Sequence, residues 1–407
     1  MTQTISVRSF RPAESRLIAA VCGAHMMSHY YMLTLAPLLG FVRADFNVSY
    51  TELALAVTVF NVVSGLLQTP VGFLVDRVGA RMVLIAGLAL SSGAFAIAGI
   101  FNSYWVFIAM YGVAGLGNTV YHPSDYSLLS HHTPSERLSH VFSFHTFAGM
   151  VGSAIAPGTL LYMQSMFGWR GAYIGAAIFG FVVLLALLAQ SEPPADPTHA
   201  TKAAARARSN NIVDTGWRLL LTPAILLNLG YFILTSIMSG GLNTYLVVAL
   251  GALHATPPDI ANMALTGLLA MSAVGVLGGG VLAARTSHHA VVAASGLIVG
   301  GVVTALVGLF DFSPALLILL MGFSGFCLGV TYPSRDMLVR AVTPPTAYGL
   351  VFGFVSTGFN IGASIAPIVY GMLMDRGNPR TVFLLSAAVS ILCVSTVTFG
   401  FSGRKTR

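Results

Sequence analysis

The stretch "GLGNTVYHPSDYSLLSHHTPSERLSHVFSFHTFAGMVGSAIAP", from Gly115 to Pro157, recurs without a gap 210 positions later. The second copy is "GFCLGVTYPSRDMLVRAVTPPTAYGLVFGFVSTGFNIGASIAP", from Gly325 to Pro367. Fourteen of the 43 aligned positions are identical, and Pro123 aligns with Pro333. Composition alone would produce about three or four identities in apolar sequence, so the match indicates an internal duplication.

The composition is that of a membrane protein. Of the 407 residues, 56% are hydrophobic and 8% are charged, and the mean hydropathy is +0.81. A helix needs about 20 apolar residues to cross a bilayer, whereas the strands of a membrane barrel alternate in polarity over about ten residues. The runs here are continuously apolar. We predict an all-α integral membrane protein with twelve transmembrane helices, near residues 17–41, 52–76, 82–101, 104–131, 138–164, 170–190, 217–248, 259–284, 289–310, 313–341, 348–374 and 380–402.

The duplication divides the predicted helices into two groups of six. Residues 1–190 form an N-terminal six-helix half, residues 217–407 form a C-terminal six-helix half, and the polar segment 191–216 is a cytoplasmic linker. Because six is even, both halves have the same orientation and are related by a pseudo-twofold axis along the membrane normal. Folds of this kind bind their solute between the halves, near the middle of the membrane.

The net charge of +7 reflects membrane topology. If the N-terminus is cytoplasmic, fifteen of the twenty Lys and Arg residues fall on the cytoplasmic side, and only Arg43, Arg170, Arg376 and Arg380 fall outside. This asymmetry orients membrane proteins. We therefore expect an inner (plasma) membrane protein with both termini in the cytoplasm, and no nucleic-acid partner.

Several function classes lack their signatures. The sequence has no nucleophile elbow, no metal-binding motif and no phosphate-binding loop, so we expect neither an enzyme nor an ATP-driven pump, and no cofactor. The three cysteines, Cys22, Cys327 and Cys393, lie in apolar runs and are interpreted as core residues. A secondary transporter remains, with a small solute, protons and the lipid bilayer as partners, and we expect a monomer. A non-transporting sensor of the same fold is the alternative.

The segment "GFLVDRVGAR" resembles the loop between helices two and three in the major facilitator superfamily. The matching residues are Gly72, Asp76, Arg77, Gly79 and Arg81. The resemblance covers essentially the whole chain and implies alternating access, with these residues forming a cytoplasmic gate. Ala80 stands where a second basic residue is common, and Ala284 stands where Asp76 would repeat in the second copy.

Three further segments resemble the fosmidomycin-resistance branch of that superfamily, a group of exporters. They are "SHYYMLTLAPLL", "LLQTPVGFLVD" and "GNTVYHPSD". In that branch an acidic residue directly follows the His-Pro pair, whereas here Ser124 intervenes before Asp125. The resemblance favours export of an organic anion or drug, and proton-coupled uptake of a carboxylate is the alternative.

Polar residues on predicted helix four mark a candidate site. Asn118, His122 and Asp125 fall at i, i+4 and i+7 and share one face. Their duplicates on helix ten are Leu328, Tyr332 and Arg335. An ionisable residue inside a membrane is costly, so it is usually paired, hydrated or functional. Asp125 could pair with Arg81 at the gate, or handle protons or solute opposite Arg335. Asp336 is adjacent to Arg335, but neighbours on a helix point about 100° apart and are expected to bond poorly.

Helix one contributes two more titratable residues, His25 and His29, at i and i+4. Imidazoles can relay protons or bind an anion when charged. The same spacing suits zinc, but no companion acid or cysteine is evident in the sequence, so we expect no metal. Each of these histidines, like His122 and His145, could instead be satisfied by a neighbouring carbonyl or hydroxyl. Arg335 and the histidines together suggest an organic anion such as a carboxylate or phosphonate.

Overall fold

The computed structural model describes residues 12–133, 138–190, 218–343 and 348–401, and within these ranges the regular structure is helical. A 3-10 turn, Ala36–Leu38, follows the first helix. The α-helices are α1 (Pro12–Met32), α2 (Leu39–Phe46), α3 (Tyr50–Val78), α4 (Ala80–Ile100), α5 (Tyr104–Asn118), α6 (Tyr121–His132), α7 (Leu138–Ala189), α8 (Pro223–His254), α9 (Pro258–Arg285), α10 (His289–Leu309), α11 (Pro314–Val342), α12 (Tyr348–Asp375) and α13 (Pro379–Phe401).

Nine helices within the described ranges are long and apolar enough to cross a membrane. They are α3, α4 and every helix from α7 to α13. The helical structure and the length of these apolar helices confirm the prediction of an all-α integral membrane protein. The predicted linker, residues 191–216, lies outside the described residues.

Local sequence explains where several helices begin and break. Ser49 and Glu52 form a capping box at the start of α3, which satisfies two backbone donors. Gly79 has a φ of 99° and separates α3 from α4, a conformation that favours glycine. Gly168, with a φ of 70°, interrupts α7, which is therefore a helix pair rather than one straight rod.

Helix bounds repeat at a nearly constant offset. α5 begins at Tyr104 and α11 at Pro314, 210 residues later, and α6 and α11 end at His132 and Val342, again 210 apart. The stretches that are duplicated in sequence therefore begin and end their helices at equivalent positions.

The helices before residue 190, here called the first helix set, pack against those after residue 218, the second helix set. α3 packs on α12, α7 packs on α9, and α8 contacts α2 and the 3-10 turn. Between α3 and α12, Thr58 donates to the carbonyl of Ser364 at 3.1 Å and Asn61 donates to that of Ala363 at 3.3 Å. These contacts join the two sets along the first half of α3.

Asp375 joins the two helix sets at the end of the molecule where α3 begins. Its carboxylate accepts hydrogen bonds from the backbone N–H groups of Tyr50, at 2.7 Å, and Thr51, at 2.8 Å, and from the Thr51 hydroxyl. A carboxylate at a helix N-terminus satisfies otherwise unpaired donors and interacts favourably with the helix dipole. One side chain of the second helix set thus caps a helix of the first.

Candidate functional site

The predicted fourth span is broken in the middle. α5 ends at Asn118, Thr119 and Val120 form a turn, and α6 begins at Tyr121. Pro123 has no N–H to donate to the carbonyl of Thr119. Pro333 at the equivalent position lies inside the continuous helix α11, so proline alone does not account for the break. The break separates Asn118 from the face that carries His122 and Asp125.

Asp125 is fully buried and lies between two histidines. Oδ2 of Asp125 is 2.9 Å from Nε2 of His145 on α7 and 3.3 Å from Nδ1 of His25 on α1. The side chains of His25 and His145 are 4% and 1% exposed. A buried carboxylate therefore has two titratable partners, contributed by two other helices.

The histidine–aspartate cluster comprises His25, His29, His122, Asp125 and His145. The rings of His25 and His145 stack with their centroids 3.7 Å apart, and His29 and His122 lie 4.8 Å and 5.4 Å from the His25 ring. His29 also makes a 3.3 Å contact with the Ser153 hydroxyl. His122 is the exposed member of the cluster.

Charge limits how this cluster can be protonated. Two imidazolium ions about 4 Å apart repel by about 4 kcal/mol at an effective dielectric constant of 20, so simultaneous charging of the stacked pair is unfavourable. One imidazolium beside one carboxylate is neutral overall. Oδ1 of Asp125 and Nδ1 of His145 are buried without a hydrogen-bond partner among the described residues. Such atoms are where a proton or a water molecule can be accommodated.

Gly149 makes room for the cluster. A Cβ at this position would lie 2.8 Å from Cδ2 of His29 and 2.9 Å from Cδ2 and Nε2 of His25. Real side chains almost never approach so closely, so any larger residue would push the imidazoles aside. Gly152, one turn later, allows similarly close contact with the backbone of Met26. The small residues of α7 thus let α1 approach closely enough to place its histidines beside Asp125.

Asn118 belongs to a separate hydrogen-bond chain. Its carbonyl oxygen accepts from Ser28 at 2.8 Å, its amide donates to Ser64 at 3.3 Å, and Ser64 donates to the carbonyl of Gly115 at 2.9 Å. These bonds link α1, α3 and α5. The structure therefore places Asn118 apart from the cluster, although the sequence pattern grouped it with His122 and Asp125.

The guanidinium group of Arg335, on α11, is surrounded by three aromatic rings. Its guanidinium carbon is 4.5 Å from the Phe232 ring centroid, 5.0 Å from that of Tyr332 and 5.2 Å from that of Phe359. Nε and one terminal nitrogen lie 2.9 Å and 2.8 Å from Oδ1 of Asp336. The expectation that these neighbours would bond poorly is wrong, because the long arginine side chain folds back to the adjacent carboxylate.

Neither arginine considered for Asp125 is its partner in this structure. Arg81 donates to the carbonyls of Leu187, at 3.0 Å, Leu188, at 3.3 Å, and Gln190. Carbonyls at a helix C-terminus attract cations, which explains this preference. Arg335 is held by Asp336. The pairs predicted for Asp125 are thus replaced here by contacts with His25 and His145.

The predicted gate residues surround the turn between α3 and α4. Gly79 makes that turn, Arg77 is exposed, and Gly72 lies in α3 with open space around its Cα. The side chain of Asp76 is outside the part of the chain that the structure describes. Arg81 lies at the start of α4 and binds the end of α7 as described above.

One donor atom each from His25, Asp125 and His145 lie within 4.8 Å of one another, which is close enough for a shared metal ion. The sequence pattern identified no acid near the helix-one histidines, and the fold supplies one. The 2.9 Å distance between His145 and Asp125 is that of a charge-assisted hydrogen bond, which places a proton between the two atoms. The arrangement can therefore hold either a proton or a metal ion.

The sequence identified His145 as a histidine within an apolar run, but it did not predict the contact of His145 with Asp125. Its spacing to Asp125 has no helical meaning, because the two residues lie on different helices. The sequence feature that could have identified His145 is a difference between the two copies: Val355 occupies the equivalent position in the second copy. A histidine in one copy of an apolar helix, where the other copy has a valine, marks a candidate functional residue.

Comparison with known proteins agrees with this architecture. The model of the Major Facilitator Superfamily matches residues 21–256 and 233–406. The chain is 24% identical over 407 aligned positions to the probable sulfoacetate transporter SauU of Cupriavidus necator, covering 92% of this chain and 90% of the relative. It is 26% identical over 144 residues to the probable L-galactonate transporter of Escherichia coli (strain K12), a match that spans 35% of this chain and 32% of that relative.

A similar solved structure is that of a bacterial homologue of the human lysosomal transporter Spinster, in an inward-facing and occupied conformation. It superposes with a TM-score of 0.77 at 13% identity and covers 96% of this chain and 97% of that one. At this identity the likeness concerns the fold.

Proposed function

The chain belongs to the Major Facilitator Superfamily, and from that premise we propose that it is a proton-coupled secondary transporter of a small organic anion that works by alternating access. The observation that carries the proposal is the arrangement of two charged sites on different helix sets. A buried carboxylate with histidine partners lies in the first set, and an arginine among aromatic rings lies in the second.

The proposal includes twelve spans in two six-helix halves. Nine helices in the described part of the chain qualify as spans by themselves. The second arm of α7, the α1–α2 pair and the α5–α6 pair would bring the number to twelve. The repeated helix bounds support a pseudo-twofold relation between halves 1–190 and 217–407. Basic-residue asymmetry supports cytoplasmic termini, and in that orientation the end closed by Asp375 faces away from the cytoplasm.

The anion would bind at Arg335. A guanidinium has five N–H donors, and Asp336 occupies only part of this fork. Aromatic rings around the arginine exclude water and can pack against the carbon part of a solute. Tyr332, one turn earlier on α11, would form one wall of this site. The relatives named as sulfoacetate and L-galactonate transporters support an organic acid as the cargo.

The proton would bind at the histidine–aspartate cluster. The titratable groups around Asp125 come from three helices: Cys22, His25 and His29 on α1, Tyr121, His122 and Tyr126 on α6, and His145 on α7. His122 gives the cluster access from outside the packed helices. α7 holds His145 and also packs on α9 of the second helix set. A change in protonation at Asp125 can therefore alter the contact between the sets.

At the cytoplasmic end we retain the gate formed by Gly72, Asp76, Arg77, Gly79 and Arg81. In the state open to the outside it would hold the two helix sets together, while the contacts of Asp375 would be broken. Export, as in the fosmidomycin-resistance branch, and proton-coupled uptake of a carboxylate differ in the sign of the coupled flux. The direction of solute flux relative to an imposed pH gradient separates the two.

The test is solute flux in proteoliposomes containing the purified protein. A panel of labelled two- to six-carbon organic acids, including sulfoacetate and galactonate, is presented under an imposed pH gradient, with and without a metal chelator. We expect gradient-dependent flux of an anion, unaffected by the chelator, that Arg335→Ala abolishes. Arg285→Ala, an exposed arginine at the end of α9, is the matched control. Binding without flux would favour the sensor, and chelator-sensitive flux would contradict the proton site.

A further inference from the structure

A small cavity lies in the second helix set beside Arg335. It has a volume of about 60 Å³ and is enclosed by α8, α9 and α11. Its polar lining consists of Ser239 and Asn243 on α8, Ser272 on α9 and Tyr332 on α11. Its apolar lining includes Met238 and Leu268. The lining is thus amphipathic, with polar groups contributed by three helices.

The polar groups on α8 are available to a ligand. Ser239 and Asn243 lie at i and i+4, so they share one face of the helix. Both are half-buried, and neither side chain makes a hydrogen bond within the described residues. Polar side chains in the apolar part of a membrane protein are usually satisfied by partners. Two unpaired ones facing the same cavity indicate that a bound molecule supplies the partners.

Tyr332 connects this cavity to Arg335. Tyr332 lines the cavity, and its ring centroid is 5.0 Å from the guanidinium carbon of Arg335. The two residues are one helical turn apart on α11. A solute whose anionic end contacts Arg335 can therefore extend its other end past Tyr332 toward Asn243.

Resting on the proposed function, we infer a two-part solute site that takes a hydroxylated monoanion, with its acid group at Arg335 and its hydroxylated tail in the cavity. Asn and Ser side chains both donate and accept, as hydroxyl groups require. The cavity holds about four to six water-sized groups, which fits the last two hydroxylated carbons of such a tail, about four heavy atoms. A second negative charge would be repelled by Asp336, which already shares the guanidinium.

The inference is tested by binding of three six-carbon acids to the purified full-length protein, measured by competition or thermal shift. Gluconate carries hydroxyl groups, hexanoate has the same carbon number without them, and galactarate carries a second charge. We expect gluconate to bind at least about tenfold more tightly than hexanoate, because hexanoate leaves the buried polar groups unpaired. Galactarate should bind more weakly than gluconate. If hexanoate binds as well as gluconate, the polar subsite is wrong.

Variants separate this inference from the proposed function. Asn243→Ala should reduce the preference for gluconate over hexanoate at least about fivefold without changing hexanoate affinity, whereas Arg335→Ala should weaken both acids. Asn378→Ala, at an exposed loop position, is the matched control, and Ser239→Ala serves if Asn243→Ala does not fold. If Arg335→Ala abolishes binding while the cavity variants keep the preference, the anion site stands and the subsite fails. If no organic acid binds or is transported, the proposed function itself fails.

Discussion

His145 on α7 and Asp125 on α6 are 20 residues apart in the chain, yet Nε2 of the histidine is 2.9 Å from Oδ2 of the aspartate. Both side chains are buried, and the ring of His25 stacks on that of His145. The contact ties a proton-accepting group to a helix that also touches the second helix set. In the proposed function, proton binding at Asp125 would therefore act on a helix that contacts the second helix set.

Asp125→Asn should abolish flux driven by a pH gradient while leaving solute exchange at equal pH on the two sides intact. The amide keeps the size of the side chain but cannot take up a proton. The measurement is labelled-solute flux in proteoliposomes under the two regimes. Asp259→Asn, at an exposed position at the start of α9, is the control and should behave as wild type. Gradient-driven flux that survives in Asp125→Asn would show that Asp125 is not the coupling group.

His145→Ala should reduce gradient-driven flux about tenfold, which is the cost expected when a hydrogen bond to a charged group is removed. Solute affinity at Arg335 should stay unchanged, since that site lies in the other helix set. The measurements are initial flux rate and binding affinity. His131→Ala, at an exposed position at the end of α6, is the control. Equal loss in both histidine variants would indicate a general defect rather than a role for the cluster.

Gly149→Ala should displace the imidazoles of His25 and His29 and lower gradient-driven flux, with a cost to stability of about 1–3 kcal/mol from overpacking. Gly158→Ala on the same helix is the control, because a Cβ there meets nothing within 4 Å. Flux and thermal unfolding of both variants are compared with wild type. Wild-type flux in Gly149→Ala would mean that the exact placement of these histidines is unimportant.

Asp375→Ala should weaken closure at the end where α3 begins. Loss of a helix-capping carboxylate costs about 1 kcal/mol, which corresponds to about a fivefold change in the ratio of the two states. Spin labels at Trp105 and Asn378 would report the distance across this end, with Arg376→Gln as the control. An unchanged distance distribution would show that Asp375 does not control closure of this end.

Reporter fusions test the topology. A reporter inserted in the linker 191–216, and reporters at either terminus, should all give a cytoplasmic signal, because basic residues concentrate on that side in the predicted arrangement. A reporter in the α4–α5 loop near Ser103 should give the opposite signal. A periplasmic signal from the linker would contradict the arrangement of two halves with six spans each.

The membrane class and the superfamily were predictable because they depend on composition, run length and a loop motif, all of which are local in sequence. Asp125 was identifiable for the same reason, since a carboxylate in an apolar run is conspicuous. Its partners were not. The position of the helix-one histidines beside Asp125 depends on close contacts between α1 and α7, such as that of Gly149 with His25 and His29, and no spacing rule connects residues on different helices.

Two other features show the same limit. The break after Asn118 separates this residue from Asp125, although the apolar pattern predicts a continuous helix and the equivalent α11 is continuous through Pro333. Asp375 could not be identified from the sequence, since a single carboxylate at the end of an apolar run has no distinguishing local pattern. Its role depends on two backbone N–H groups 324 and 325 residues away.

The hydrogen bonds of Asp375 restrict which amino acids can occur at position 375 much more than at positions 50 and 51. Two of its three hydrogen bonds end on main-chain N–H groups, which every amino acid except proline provides. Most amino acids at positions 50 and 51 would therefore preserve these bonds. Position 375 must keep a side chain with a hydrogen-bond acceptor that reaches both N–H groups. Paired substitutions would be rare, so statistical covariation between these helices would understate how closely they are joined.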